Sequence, residues 1–157
     1  MALCRDLQAF MEILDMAVDY AMEGKVAEVA VSAIQGAVET EVYRKYEPKM
    51  YVRDRELGGL QDKNNIERRY DPKTKTLEVQ DVRDDPYTKE ARWKMGQDPD
   101  GTVADVVEDG GPYQYRLRPY PGPRPFHAVA EQRLIDRKWA EQALEQDLKL
   151  NLDGWSY

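Results

Sequence analysis

The first 47 residues contain no proline, and apolar side chains recur along them mostly every three or four positions: Leu3, Leu7, Phe10, Leu14, Val18, Met22, Val26, Val29, Ala33, Ala37 and Val42. That spacing is the stripe of an amphipathic helix, so residues 1–47 are predicted to be helical, and Pro48 ends the run because its ring cannot continue a helix. Gly24 and the change of phase around it predict a kink, or a break into two shorter helices. Nine acids against four bases make the region acidic, with Arg44 and Lys45 at its C-terminal end, where the helix dipole favours cations.

Beyond Pro48 the signals change. Residues 48–64 hold a short extended piece, Tyr51-Val52-Arg53, and the pair Gly58-Gly59, with no sustained period. Residues 65–70 and 75–82 read as two strands joined by Asp71-Pro72-Lys73-Thr74, a turn with Asp first and Pro second, with Leu77 and Val79 sharing one face. Residues 84–102 are polar and turn-rich, and Val103–Glu108 reads as a short apolar strand closed by Asp109-Gly110-Gly111-Pro112. Five of the nine prolines then fall between residues 112 and 125, among tyrosines and arginines, which describes a stiff, extended arm. A C-terminal helix is expected over 126–150, opening after Pro125, with a stripe of Phe126, Ala130, Leu134, Ala140, Leu144 and Leu148.

Together these elements predict one α+β domain over 1–157, an antiparallel sheet packed against a long N-terminal helix and a C-terminal helix. Leu, Ile, Val and Phe supply only about a fifth of the residues, a lean core that a neighbouring surface would help to complete. No apolar run approaches the roughly 18 residues that span a bilayer, and no basic region with an apolar stretch and a cleavage site opens the chain, so a soluble, unsecreted protein with no membrane partner is expected.

Most side-chain catalysts are missing. With one Cys (Cys4) and one His (His127), neither a disulfide framework, a zinc site nor a Cys–His nucleophile can be assembled. The segment Asp98-Pro99-Asp100-Gly101 brings its glycine too early for a calcium loop and reads as a turn. No metal, no cofactor and no catalysed reaction are expected. A formal net charge of −7 also argues against a nucleic-acid clamp, whose affinity comes from lysines and arginines that displace counterions.

Arginine and tyrosine instead cluster in a pattern suited to contacts between proteins. The candidates for an interface are Tyr46, Tyr51, Arg53, Arg55, Arg68, Arg69, Tyr113, Tyr115, Arg116, Arg118, Tyr120, Arg124 and Phe126, with the arginines of one subunit expected to meet the acidic N-terminal helix of the next. A stiff aromatic arm loses little entropy on docking, which favours the same use.

The order of short motifs adds a resemblance. Val42-Tyr43-Arg44-Lys45-Tyr46-Glu47-Pro48, then Tyr51-Val52-Arg53, Gly58-Gly59-Leu60-Gln61-Asp62 and Asn65-Ile66, and later Val106-Val107-Glu108-Asp109-Gly110, Tyr113 and Arg124-Pro125-Phe126, resemble small neck proteins of phages with long non-contractile tails. The likeness runs from about residue 38 to 148 and is to the head-to-tail joining, or tail-completion and tail-terminator-like, group. It implies an α+β ring-forming subunit of the virion neck, commonly a hexamer. Such a ring is assembled in the bacterial cytoplasm between the portal or connector and the tail tube, with genome DNA passing through its lumen without specific binding. The long N-terminal helix and the 84–102 segment depart from that pattern. A head-closure or other connector ring is the nearest alternative. A carboxylate-dependent metal nuclease and a phage regulatory binding protein are rivals of other classes.

Overall fold

The structure is a computed structural model that describes residues 2–45, 58–83, 102–109 and 122–153. The extended piece at Tyr51–Arg53, most of the 84–102 segment and the 110–121 part of the arm lie outside the described residues.

The N-terminal region is one continuous helix in four stretches: α1 (Ala2–Ala21), a π-helical turn (Met22–Val26), α2 (Ala27–Ala37) and a second π-helical turn (Val38–Tyr43). The first π turn lies where Gly24 predicts a discontinuity, and it bends the pattern without interrupting it. Buried Ala21 and Val26 are five residues apart, a spacing an α-helix would rotate off its inner face and a π turn keeps on it. In the second, the Thr40 hydroxyl donates back toward the carbonyls of Gly36 and Ala37, competing with the backbone for the same acceptors.

The chain next folds over α2. Asp62 accepts from the backbone N–H groups of Gly58 (2.8 Å) and Asn64 (2.9 Å), and Asn65 Nδ2 donates to the carbonyls of Gly58 and Gly59. Gly58 sits at φ +92°, where a side chain would be strained. Gln35 and Gln61 exchange amide bonds, each Nε2 donating to the other's carbonyl at 2.6 and 3.0 Å, which clasps this loop to the helix. The Gly-Gly-Leu-Gln-Asp motif is thus a self-sufficient turn that buries Leu60.

The hairpin follows as expected. β1 (Ile66–Asp71) and β2 (Thr76–Asp81) pair antiparallel, in register from Ile66 opposite Asp81 to Asp71 opposite Thr76. Asp71 organises the turn by accepting from Lys73 N and Thr74 Oγ1. Among the described residues this two-stranded ribbon is the whole sheet.

Two expectations need correction. Residues 103–109 form a helix, α3 (Val103–Asp109), where a strand is predicted. Thr102 and Asp105 make a reciprocal cap, Asp105 N to Thr102 Oγ1 at 3.3 Å and Thr102 N to Asp105 Oδ2 at 2.6 Å, which satisfies the first-turn donors and starts the helix. The C-terminal helix is two helices, α4 (Phe126–Arg137) and α5 (Trp139–Asp153), divided at Lys138, which adopts the left-handed conformation at φ 53°.

α4 packs on α2, while α5 turns back along the first π turn and α1. The core lies where α2, the second π turn, the hairpin, α3 and α4 meet, and includes Ile34, Val38, Val42, Leu60, Ile66, Val103, Val107, Phe126 and Ala130. Arg133 Nη2 donates to Thr40 Oγ1 at 2.7 Å and locks α4 to the second π turn.

Candidate assembly surface

The acidic side of α1 already has a basic partner within the chain. Lys75, held at φ 54° by the hairpin turn, places Nζ 2.7 Å from Asp15 Oδ1 and 2.6 Å from Asp19 Oδ1, and the Tyr70 hydroxyl donates to Asp19 at 2.5 Å. The bonds from Lys75 and Tyr70 hold the Asp19 carboxyl below its ordinary range. Burial, with the Asp19 carboxylate beside it, pushes the Tyr70 phenol up to about 12. The two carboxylates raise the Lys75 ammonium in turn. This partly exposed cluster orients the hairpin on the long helix more than it stabilises it.

Arg68 and Arg69, on β1, are both exposed. Arg69 Nη2 lies 2.9 Å from Glu67 Oε2 on the same strand, and the cross-strand register puts it opposite Glu78. Arg68 lines a small open cleft with Glu23, Ala27, Tyr70 and Leu77.

Phe126 and Arg124 are placed differently. The Phe126 ring is wholly enclosed in the chain's own core, and Arg124 is 6% exposed, so neither presents a contact surface in this fold. Phe126 opens α4 from its inner face. Arg124 N donates to the carbonyls of Val107 and Glu108, tying the start of α4 to the end of α3, while its Nε is buried without a hydrogen-bond partner. Tyr46, Tyr51, Arg53, Arg55, Tyr113, Tyr115, Arg116, Arg118 and Tyr120 lie outside the described residues.

The most conspicuous surface is one that residue types alone do not single out. Along one side of α1, Ala17 and Ala21 are buried and Leu14 and Val18 half-buried, but toward the N-terminus Leu7 (61% exposed), Phe10 and Met11 on that side are exposed; Met16 and Tyr20, also exposed, lie on the opposite side of the helix. Among the described residues, packing covers this side of α1 from Ile13 to Ala21 and leaves it bare from Leu7 to Met11. Neighbouring apolar side chains exposed together mark an interaction site more often than singly scattered ones do.

A buried polar cluster joins β2, α3 and α4. Asp81, 3% exposed, accepts from Arg83 N at 2.9 Å through Oδ1, while Oδ2 is buried without a hydrogen-bond partner. Burial pushes its carboxyl up to about 6, against the lowering effect of Arg83. Asp81 N donates to His127 Nε2 at 3.4 Å, and His127 Nδ1 lies 3.2 Å from Glu108 Oε1, which also accepts from His127 N. The imidazole therefore bridges three segments and fastens them through polar contacts. Asp81 continues the inward-facing series of Leu77 and Val79, so the alternation of β2 is the signal that could have found it. Among the described residues no group of three or more His, Cys, Asp or Glu is arranged to hold a metal ion, and no helix is long and apolar enough to cross a membrane.

A family model, YomN, matches residues 5–150 of the chain. No curated protein and no solved structure matches it.

Proposed function

The chain belongs to YomN, a phage-derived family, and from that premise we propose that it is a structural subunit of the phage particle, forming a ring in the neck that joins the head to the tail tube. Tail completion is the role favoured, with the portal or connector above and the tail tube below. The observation that supports this reading most is the uncovered apolar patch of α1, Leu7, Phe10 and Met11, on a chain whose core is otherwise lean. A subunit that assembles leaves such surface for its neighbours, and cyclic contacts require two different complementary faces on each copy. The acidic balance suits a conduit, since each added copy brings a formal charge of −7 and carboxylates near a lumen repel the DNA backbone.

The reading is tested by disrupting the gene in the parent phage and imaging the lysate. A neck subunit leaves filled heads and separate tails that join when purified protein is added back, and antibody labels the head–tail junction of intact particles. Complete virions from the disrupted phage, or virions lacking the protein, would refute it.

A further inference from the structure

The two-stranded ribbon has two outer edges, and the register shows which backbone groups they present. Val82 N donates to Asn65 O at 2.7 Å, so 65 and 82 form a hydrogen-bonded pair just below the strands. Bonded and non-bonded pairs alternate in an antiparallel ladder. The bonded pairs are therefore 67 with 80, 69 with 78 and 71 with 76, while 66/81, 68/79 and 70/77 turn their N–H and C=O groups away from the partner strand. Asp81 confirms the phase, since its N–H points outward to His127 Nε2. On β1, Arg68 and Tyr70, and on β2, Leu77 and Val79, present outward backbone groups with no backbone partner among the described residues.

We propose that these two edges are the two halves of one contact between copies: the outer edge of β2 on one subunit adds, antiparallel, to the outer edge of β1 on the next. This deepens the ring reading and rests on it. Repeating the register of the hairpin across the junction sets Leu77 opposite Tyr70 of the next copy and Val79 opposite Arg68, two bonded pairs that each exchange both backbone bonds. Glu78 then lies between Arg69 of its own hairpin and Arg69 of the next copy, so acid and base alternate along the row. Self-pairing of like edges lacks this complementarity. Centred β1-to-β1 pairing sets Arg68 against Arg68, and centred β2-to-β2 pairing sets Glu78 against Glu78. The charges therefore favour the head-to-tail arrangement, which is the kind of contact that closes into rings.

The test removes one outward donor at a time. Arg68→Pro blocks the β1 edge and Val79→Pro the β2 edge. Both leave the internal ladder intact, because proline is tolerated where the N–H faces away from the partner strand. The wild-type chain, concentrated toward the millimolar range, is expected to form rings or oligomers, each variant alone to stay monomeric, and an equimolar mixture of the two to stop at a dimer. A Val79→Pro chain that still self-associates, a mixture that remains monomeric although both variants fold, or a wild-type chain that never associates would overturn the proposal. Hydrogen exchange on the wild-type chain decides the matter without variants. The amides of Arg68, Tyr70, Leu77 and Val79 are expected to slow at least about 100-fold on assembly, and unchanged rates would overturn edge pairing. Neck rings in which these amides still exchange as in the free subunit would refute the edge contact and leave the neck reading standing. Edge-paired oligomers of a protein that virions lack would do the reverse.

Discussion

Asp81 makes the stability of this fold depend on pH in a direction opposite to that of most carboxylates. Its carboxyl is buried, one oxygen has no hydrogen-bond partner, and its pKa stands at about 6 against 3.8 for the ordinary side chain. The folded chain therefore holds this proton more tightly than the unfolded chain does. Well below pH 3.8 both states are protonated and the site costs nothing, whereas stability falls as pH rises through the window from 3.8 to about 6. Above it the full penalty of a buried charge applies, about 3 kcal/mol for a difference of that size. Asp81→Asn cannot ionise, and its carbonyl still accepts from Arg83 N. Any penalty from placing an NH2 group where Oδ2 sits is the same at every pH, so it drops out of the comparison. Arg83, Asp105, Glu108 and His127, which surround the site, are present in both chains and largely cancel. Urea unfolding followed by circular dichroism should show the variant gaining on the wild type by about 3 kcal/mol between about pH 3.5 and 7.5. A difference that stays flat with pH, or that grows in favour of the wild type, would refute the reasoning.

Three further substitutions probe the fold. Phe126→Ala empties the centre of the core and is expected to cost about 3–5 kcal/mol in the same assay; a loss under about 1 kcal/mol would make the ring a surface contact after all. Thr102→Ala removes half of the reciprocal cap and should cost about 1 kcal/mol, with faster amide exchange in the first turn of α3 as its local signature. Lys138→Gly relieves a side chain held in the left-handed region and should raise stability by about 1 kcal/mol, while unchanged or lower stability would mean that the break between α4 and α5 is not strained.

Much of the architecture is legible in the amino-acid sequence, and the exceptions have physical causes. The long helix and the hairpin rest on signals repeated along many residues, the apolar stripe from Leu3 to Val42 and the Asp-Pro turn between two alternating runs. The 103–109 segment is short, and Val-Ala-Asp-Val-Val suits either period, so its type is decided by Thr102 and Asp105, a cap that spacing alone displays. The division at Lys138 has no such marker, because the left-handed conformation usually announces itself with Gly or Asn and here falls on a lysine. Phe126 reads as a contact residue because it closes an Arg/Tyr/Pro arm, whereas its depth is set by α2 and α3, which close over it from other parts of the chain. Nothing near Lys75 marks it for a similar reason: its partners Asp15 and Asp19 are more than fifty positions earlier, and only the docking of the hairpin brings them together. Arg68 and Arg69 stand at the surface, where their residue types suggest, and what the primary structure conceals is the backbone edge that they flank.

The two π turns carry a consequence for how this helix tolerates changes of length. Each one absorbs a surplus residue, as if a plain α-helix had twice taken in an insertion and bulged to accommodate it. Deleting a residue from a helix ordinarily rotates everything beyond it by about 100° and scrambles its buried side. Gly24 lies inside the first π turn, and excising it should let the bulge collapse into regular winding while Ala21 and the residues from Val26 onward stay aligned. The helix therefore holds slack at a defined point, and shortening it there would tidy the scaffold instead of wrecking it.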